Sequence, residues 1–547
     1  MMNTANSYRF DFPVTKKKDV VVVGSGPGGC LAALAASRNG ADTLLIERDS
    51  YLGGMMTGGF VNSMYGFRLT KDEGKSISIS GRESRWDTPL LVNGISLEIV
   101  IRLQKEGGRI DQGHLEDPSE RELFDPEIMK QVLDDVMEES RVEVLYNTFA
   151  QNAVVENNVV KGVAIANKSG GQIILADVVV DASGDADIAA AAGVPFQIGR
   201  EKDKRLHGGS LMMDIGGVDV HKYIAYLKNR PAKTEAERQK QEDEASRLLG
   251  GGGSRGTIRT LDGKMGPSGT GGAAPTQPAW DKVEEIMREA KSSLRNYPGI
   301  ESEWLDFVKS GAVPPWHGAA KLIYIRAPQS SPGLIRHGKI RYDQVRTGVH
   351  EAYFDQTNQE EISKAIRWMR KMDRIYLKFF RERIPGFEDA YIIQTQPMVG
   401  TRESRRIVGE YMLTEEDIVE GRRFQDVIAK CGHPCNVHSV TGVWGDSYFL
   451  EAKKPFDIPY RCLVPKKIEN LLVAGRPISV THIAHGATRD EPPCMSVGEA
   501  AGAAAALSSK LGVAPRNLDI KLLQKALLDQ GVLLYLADEM PGAIPAV

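Results

Sequence analysis

The chain lacks a long apolar run. Its most alanine-rich stretch, 500–507, is too short for the roughly 20 residues a membrane-spanning helix needs. Residues 1–18 are polar, end in Lys16, Lys17 and Lys18, and have no apolar centre of the kind a secretory signal carries. A cytoplasmic protein without a membrane span is therefore expected. Charge of one sign is lacking too: 69 Lys and Arg against 72 Asp and Glu leave a net charge of -3. That balance excludes a basic field for nucleic acid or an anionic membrane and points to small-molecule work. Cysteine is scarce, with 5 in 547 residues, an odd number that suits a reducing compartment better than a disulfide framework. The one close pair, Cys431 and Cys435 around His433, offers too few ligands from a single loop for zinc. It reads as thiols on an ordinary loop, with its role left open, and no metal is expected.

What the chain has instead is glycine, 56 of them, and the most informative lie near the start. Residues 19–48 read as one β-α-β unit: an apolar run 20–23, the turn Gly24-Ser25-Gly26-Pro27-Gly28-Gly29, a small-residue helix 30–39, and a strand 43–46 ending in Glu47 and Arg48. Gly24 permits the tight turn, Gly26 lets backbone N–H groups approach a pyrophosphate, and Gly29 lets helix and sheet pack closely. The helix start adds unpaired N–H donors and partial positive charge for phosphate. Glu47 at the strand tip is placed to accept from a ribose diol, which favours an unphosphorylated ribose but does not separate FAD from NAD. A second glycine turn, Gly53-Gly54-Met55-Met56-Thr57-Gly58-Gly59, follows at once and gives a longer cofactor somewhere to continue past the pyrophosphate.

Taken together, GSGPGG, the Glu47-Arg48 strand tip and LGGMMTGG resemble the FAD-dependent oxidoreductases of the glutathione-reductase-like flavoprotein superfamily. The resemblance implies an α/β fold: a Rossmann-like FAD-binding domain assembled from N- and C-terminal segments, with an α+β substrate domain inserted. Residues 1–206 would form the first part of the FAD domain with a loop-rich insertion at 60–113, 207–395 the substrate domain, and 396–547 the return. Gly24, Gly26, Pro27, Gly28, Gly29, Glu47, Arg48, Gly53, Gly54, Met55 and Thr57 are the first cofactor-binding set. After a helix opened by Asp125 and Pro126, a strand at 142–146 and a meander at 153–156, 159–166 and 172–175, a further strand at 177–181 runs into Ala182-Ser183-Gly184-Asp185. That turn resembles the family's later flavin-contacting turn, which implies Ser183, Gly184 and Asp185 near the pyrophosphate or ribityl chain and Ala150 near the adenine. Asp185 reads equally as the N-cap of a helix at 186–192.

The middle of the chain carries no usable motif. Residues 232–249 suggest a solvated helix, 250–278 a mobile glycine-rich loop, and 280–294 another helix. The GTGGAA run at 269–274 has no strand before it and is rejected as a second dinucleotide site. Trp316, His317, Arg326, Arg336, His337 and Arg341 are candidates to line a pocket for a polar or anionic substrate, and His114 reads as solvated. A long helix at 360–384, with apolar residues at helical spacing and Pro385-Gly386 after it, is core packing.

Two later stretches carry the chemistry. Gly400-Thr401-Arg402-Glu403-Ser404-Arg405-Arg406 resembles the signature of one branch of the flavin-dependent oxidoreductases. Its arginines read either as an ion-pair network or, at Arg402 and Arg405, as groups that orient a carboxylate. A strand at 470–476 ending in Gly475 and Arg476 returns beside the first unit, and a long helix begins near Pro493 or Cys494. The resemblance points that helix's start at the flavin pyrimidine edge, with Met495 and Ser496 as donors. His482 and His485 are expected in the loop between them, where oxidation by hydride transfer to flavin N5 requires a base, with Arg489 as electrostatic partner. The expected function is dehydrogenation of a polar small molecule, with oxygen, a quinone or a protein carrier as electron acceptor. The alternatives are a monooxygenase or reductase using NAD(P)H, and an electron-relay subunit of a complex. Covalent flavin attachment at Cys494, His482 or His485, and the oligomeric state, stay open.

Overall fold

The computed structural model describes residues 11–68, 90–108, 121–229, 303, 306–307, 310, 323–325, 330–336, 339–347, 350–352, 354–438, 440, 448–450, 452 and 454–536. The expectations for 232–249, 250–278 with its 269–274 run, 280–294, His114, Trp316, His317, Arg326 and His337 lie outside these residues.

The opening unit forms as its glycines and apolar run dictate: β1 (Val14–Val23), α1 (Pro27–Arg38) and β2 (Thr43–Ile46). Gly24 leaves β1 at φ +90°, and a Cβ on Gly29 would sit 1.8 Å from the Gly24 carbonyl oxygen. Only glycine meets both demands. Within the insertion, α2 spans Ile95–Lys105 and starts after Gly94. Helix α3 (Pro126–Glu139) opens where Asp125 accepts from the Glu127 N–H and Pro126 takes the first position, a sequence-level start signal fulfilled.

Then come β3 (Glu143–Leu145), β4 (Phe149–Glu156), β5 (Val159–Asn167) and β6 (Gly170–Asp181). The strands expected separately at 172–175 and 177–181 are one. Its first half pairs antiparallel with β5, while its other edge runs parallel with β1 along nearly its whole length. Strand β1 is longer than its apolar run because Lys16, Lys17 and Lys18 continue the pairing, so no turn interrupts β6. The short helix α4 (Asp187–Ala191) follows.

A second sheet holds β7 (Met213–Gly216), β8 (Ser330–Arg336), β9 (Lys339–Thr347) and, after α5 (Gln359–Arg383), β10 (Tyr391–Thr395). Its order is β8-β9-β7-β10, all antiparallel. Helix α5 is capped by Asn358, which accepts from the Glu360 and Glu361 N–H groups, and buries Trp368, Met369, Met372, Tyr376, Phe379 and Phe380 in this sheet's core. Arg336 and Arg341 fall on β8 and β9. A buried fork inside the second sheet reaches the loop after the second glycine turn: Arg346 donates from Nε (2.6 Å) and Nη2 (2.8 Å) to Asp214, donates to the Phe60 carbonyl at 3.1 Å, and lies over the Phe60 ring.

The chain returns through β11 (Arg405–Ile407), which pairs with Phe196–Ile198, and β12 (Leu471–Val473), which joins β6 in parallel. The first sheet therefore runs β3-β2-β1-β6-β5-β4, with β12 along the C-terminal end of β6. Helix α6 (His482–Thr488) and helix α7 (Glu491–Leu511) complete the layer. Helices α1 and α7 cross backbone to backbone: a Cβ on Gly498 would meet the Gly28 carbonyl oxygen at 2.0 Å, and one on Gly502 the Ala32 carbonyl oxygen at 2.0 Å. Glycine and alanine on both helices make that approach sterically open.

Candidate active site

Three turns converge at the C-terminal ends of the parallel strands, where open α/β sheets place their ligands. At the first, Gly26 is the N-cap of α1 and no side chain caps the helix, so first-turn N–H groups are left for a phosphate. A Cβ at Gly26 would meet nothing within 4 Å, and neither would one at Gly475, so there is room beside both turns. Glu47 accepts from the Ser25 N–H (2.8 Å), the Ser25 hydroxyl (2.5 Å) and the Asp49 N–H (2.8 Å). These contacts fix the carboxylate at the turn and leave lone-pair capacity for a ribose hydroxyl. The Thr148 N–H donates to the Glu47 carbonyl at 2.9 Å and sets the start of β4, with Ala150, beside that tip. In the second glycine turn, the Gly53 N–H donates to the Ser25 carbonyl at 2.8 Å and the Thr57 hydroxyl to the Leu52 carbonyl at 2.5 Å. Gly54 and half-buried Met55 lie in this turn, while Arg48 is exposed.

At the third turn Asp185 is not the helix N-cap. That position falls to Ala186, in a left-handed conformation and without a side-chain cap, while the Ser183 hydroxyl accepts from the Asp187 N–H at 3.0 Å. Asp185 instead accepts from the Ser404 hydroxyl (2.7 Å) and meets Arg476 (3.4 Å). Arg405 donates to the Asp185 carbonyl (3.0 Å) and to the Asp187 carboxylate (2.8 Å). The GTRESRR stretch thus clamps the DASGD turn. Arg476 keeps Nη1 without a hydrogen-bond partner, and its guanidinium reaches to 2.9 Å from where a Gly184 Cβ would lie. A half-buried cation with a free donor, beside an uncapped helix start and open glycine turns, fits a dinucleotide pyrophosphate.

Beyond Arg476 lies a buried cluster. His482 and His485, expected in a loop, sit on α6, where Thr481 caps the helix by accepting from the Ala484 N–H. Thr481 is an N-cap residue type, so the short helix was legible there. Glu403 is fully buried and holds three partners: Arg406 in an ion pair, His482 Nδ1 at 2.9 Å, and the His207 N–H at 3.2 Å. A carboxylate acceptor at Nδ1 places the proton there and leaves His482 Nε2 as the basic nitrogen. The His207 ring lies 4.8 Å from that of His482, 6.1 Å from His485 and 6.2 Å from His438. Burial pushes His207 well below the usual histidine range, helped by the neighbouring Arg489 and by the imidazoles around it, which oppose a further positive charge. Burial does the same to His485, with Arg406, Arg489 and Arg476 adding to it. Both rings are therefore neutral near pH 7.

The ligand atoms of His207, Glu403 and His482 lie within 4.8 Å of one another, the span of a three-ligand metal site. Glu403 is already committed to Arg406 and His482, and the surrounding arginines oppose a further cation, so the group is a hydrogen-bonded dyad with an adjacent imidazole.

Other expectations move. Helix α7 begins at Glu491, earlier than Pro493 or Cys494, so Met495 and Ser496 fall past its first turn, where their N–H groups face carbonyls of the preceding turn. The Ser496 hydroxyl donates back to the Pro492 carbonyl at 3.1 Å. Neither residue has the free donor assigned to it, and Pro492 and Pro493 have no N–H to offer in their place. Arg402 donates to the Gly208 carbonyl at 2.7 Å, which ties it to the His207 segment. Cys431 and Cys435 are not loop thiols. They lie on the strands Val427–Cys431 and Cys435–Val437, buried in the core, and burial pushes Cys431 up to about 12 and Cys435 well above its ordinary value. The Cys494 thiol is also pushed up by burial and donates to the Thr488 carbonyl at 3.5 Å, an inert setting. His207 and Glu403 were missed as site residues. Glu403 lay in a recognised motif beside arginines, whereas nothing local marked His207.

A family model described as FAD dependent oxidoreductase matches residues 19–527. Digeranylgeranylglycerophospholipid reductase of Methanosarcina acetivorans is 28% identical over 178 residues, 32% of this chain and 40% of that protein. The protein of the same name from Methanocella arvoryzae is 30% identical over 200 residues, 36% of this chain and 47% of that protein. The chain thus spans less than half the length of these curated relatives. Among solved structures, a geranylgeranyl bacteriochlorophyll reductase-like protein from Thermoplasma acidophilum is 12% identical, with 94% of this chain and 84% of that one covered at a TM-score of 0.35.

Proposed function

Because the chain belongs to the FAD-dependent oxidoreductases, we propose that this enzyme dehydrogenates a polar small organic molecule, with His482 as the base. The single observation that carries this reading is the buried Glu403–His482 pair at 2.9 Å. Bound FAD supplies the hydride acceptor, N5 of its ring. The chain's own part is to hold and move the proton: Glu403 fixes the Nδ1–H tautomer, Arg406 keeps the carboxylate in place, and Nε2 of His482 takes the substrate proton. His485 and neutral His207 wall the site against water.

In this reading Gly24, Gly26, Gly28, Gly29, Ser183, Gly184, Asp185, Gly475 and Arg476 hold the pyrophosphate side of FAD, and Glu47 the ribose. The substrate domain is 207–395, between the two parts of the FAD domain. Membership of the glutathione-reductase-like superfamily is supported by the GSGPGG unit and the return of β12 beside β6. The acceptor is oxygen, a quinone or a protein carrier, and the working place is the cytoplasm; among the described residues no helix is long and apolar enough to cross a membrane.

A second reading, reduction of a substrate by flavin charged from NAD(P)H, is favoured by the reductase names of the curated relatives. The same dyad would then donate the proton. An anaerobic titration with NADH and then NADPH separates the two. A flavin band that stays oxidised supports the dehydrogenase, and rapid bleaching overturns it in favour of the reductase or a monooxygenase.

A further inference from the structure

On the reading that His482 faces the reacting substrate, we propose that His207, His485 and Arg489 form the receptor for an anionic group of that substrate, a carboxylate. The observation is a set of buried polar atoms without hydrogen-bond partners: Arg489 Nε, His485 Nδ1, and both ring nitrogens of His207, whose Nε2 has Glu403 Oε2 at 3.7 Å, beyond hydrogen-bond reach. His207 and His485 are buried at 0% and 1% exposure. Orphaned donors at this depth are rare in folded proteins and mark a missing partner.

The partner's sign follows from the charges present. Arg402, Arg406, Arg476 and Arg489 bear on this cluster. Of the anions, Glu403 is committed to Arg406 and His482, and Asp490 to His433 at 3.0 Å. Glu491 is pushed up by burial and by the charge of Asp490, toward its neutral form. The remaining contacts of Arg489 are long, 3.5 Å to Asp490 and 3.4 Å to the Asn436 carbonyl. A guanidinium held only at these distances, with Nε unpartnered, keeps donor capacity for a further anion. The planar fork of arginine matches a planar pair of oxygens. Two neutral imidazoles beside it each add an N–H donor without the repulsion that a second cation would bring to the substrate's proton transfer. The field also disfavours the alternative occupant, a divalent metal on His207, Glu403 and His482.

The test uses the full-length, FAD-loaded protein. Acetate and succinate, with acetamide and succinamide as neutral counterparts, are titrated in while the visible flavin spectrum and the heat of binding are followed. The expected result is saturable binding of the acids but not the amides, weakened about tenfold or more in Arg489→Gln and in His207→Asn. Flavin content and the thermal midpoint verify that each variant is folded, and Arg489→Lys, with the charge but not the fork, should fall between. Equal binding of acids and amides, no saturation in a flavin-loaded protein, or wild-type affinity in both variants overturns the proposal. So does a cobalt absorption band on adding Co²⁺ that His207→Asn abolishes. A protein that takes up no flavin instead defeats the reading of the site on which this inference rests.

Discussion

Glu403 Oε1 lies 2.9 Å from His482 Nδ1 across a separation of 79 residues, and the same oxygen pairs with Arg406. A buried carboxylate with a histidine on one side and a guanidinium on the other holds a single imidazole tautomer, which is the condition for a base to work without reorganising. His482→Ala is expected to lower turnover by about 10²–10⁴-fold while FAD content is unchanged. Glu403→Gln should lower kcat more than it raises KM. Steady-state kinetics decide, and turnover within a few-fold of wild type in both variants rules the dyad out.

Glu47 is pinned by Ser25 and Asp49 at the tip of β2. Glu47→Ala removes a charged acceptor from the turn and, in our assignment, from the ribose, so FAD affinity should fall about tenfold or more. Fluorescence titration of the apoprotein with FAD measures it, and an unchanged dissociation constant removes Glu47 from the cofactor site.

The buried Asp214–Arg346 fork joins the second sheet to Phe60, directly after the second glycine turn. Arg346→Ala leaves Asp214 without its cation and should cost about 3–5 kcal/mol. Denaturant midpoints test this. The double variant with Asp214→Ala should cost less than the sum of the two singles, since the second change removes the stranded charge.

Helices α1 and α7 touch at Gly502, where an added Cβ meets a backbone oxygen at 2.0 Å. Alanine favours a helix over glycine by only about 1 kcal/mol, while overpacking costs about 1–3 kcal/mol and here falls on backbone that cannot rotate away. Gly502→Ala should therefore destabilise the fold. Differential scanning calorimetry showing an equal or higher midpoint would mean that the helices separate at little cost.

Glu499 lies buried on α7, where its two oxygens accept from the Ile95 N–H at the start of α2 (3.3 and 3.2 Å). Burial pushes it up to about 8, with Glu98 adding slightly and Arg38 opposing. The folded state thus holds a proton that the unfolded chain, with an ordinary carboxyl near 4.3, has lost. Stability from this group is complete below about pH 4 and is lost as pH rises toward 8. Glu499→Gln keeps an acceptor for Ile95 without the titration. Its thermal midpoint should exceed that of the wild type at pH 8–9, with the gap closing toward pH 5. A constant gap across that range would show that Glu499 is charged in the fold.

The local parts of this protein were readable from the chain itself. Helix α3 starts at the Asp125-Pro126 cap, and the β-α-β unit follows from Gly24 and Gly29. Each depends on neighbours within a few residues, which carry the turn, the cap or the period. The site was readable only in part: the glycine turns announced a dinucleotide, and His482 and His485 stood out by type. Their setting on α6, the continuity of β6 through 170–181, and the burial of Cys431 and Cys435 in the core were decided elsewhere. Strand β6 is continuous because β1 pairs along it, and the cysteines are buried because neighbouring strands cover them. Glu403, His207 and His482 meet because the starts of β11 and α6 and the entry to β7 come together at one place. No spacing along the chain encodes such a meeting, since burial and charge at a point in space belong to contacts between segments that only the folded structure brings together.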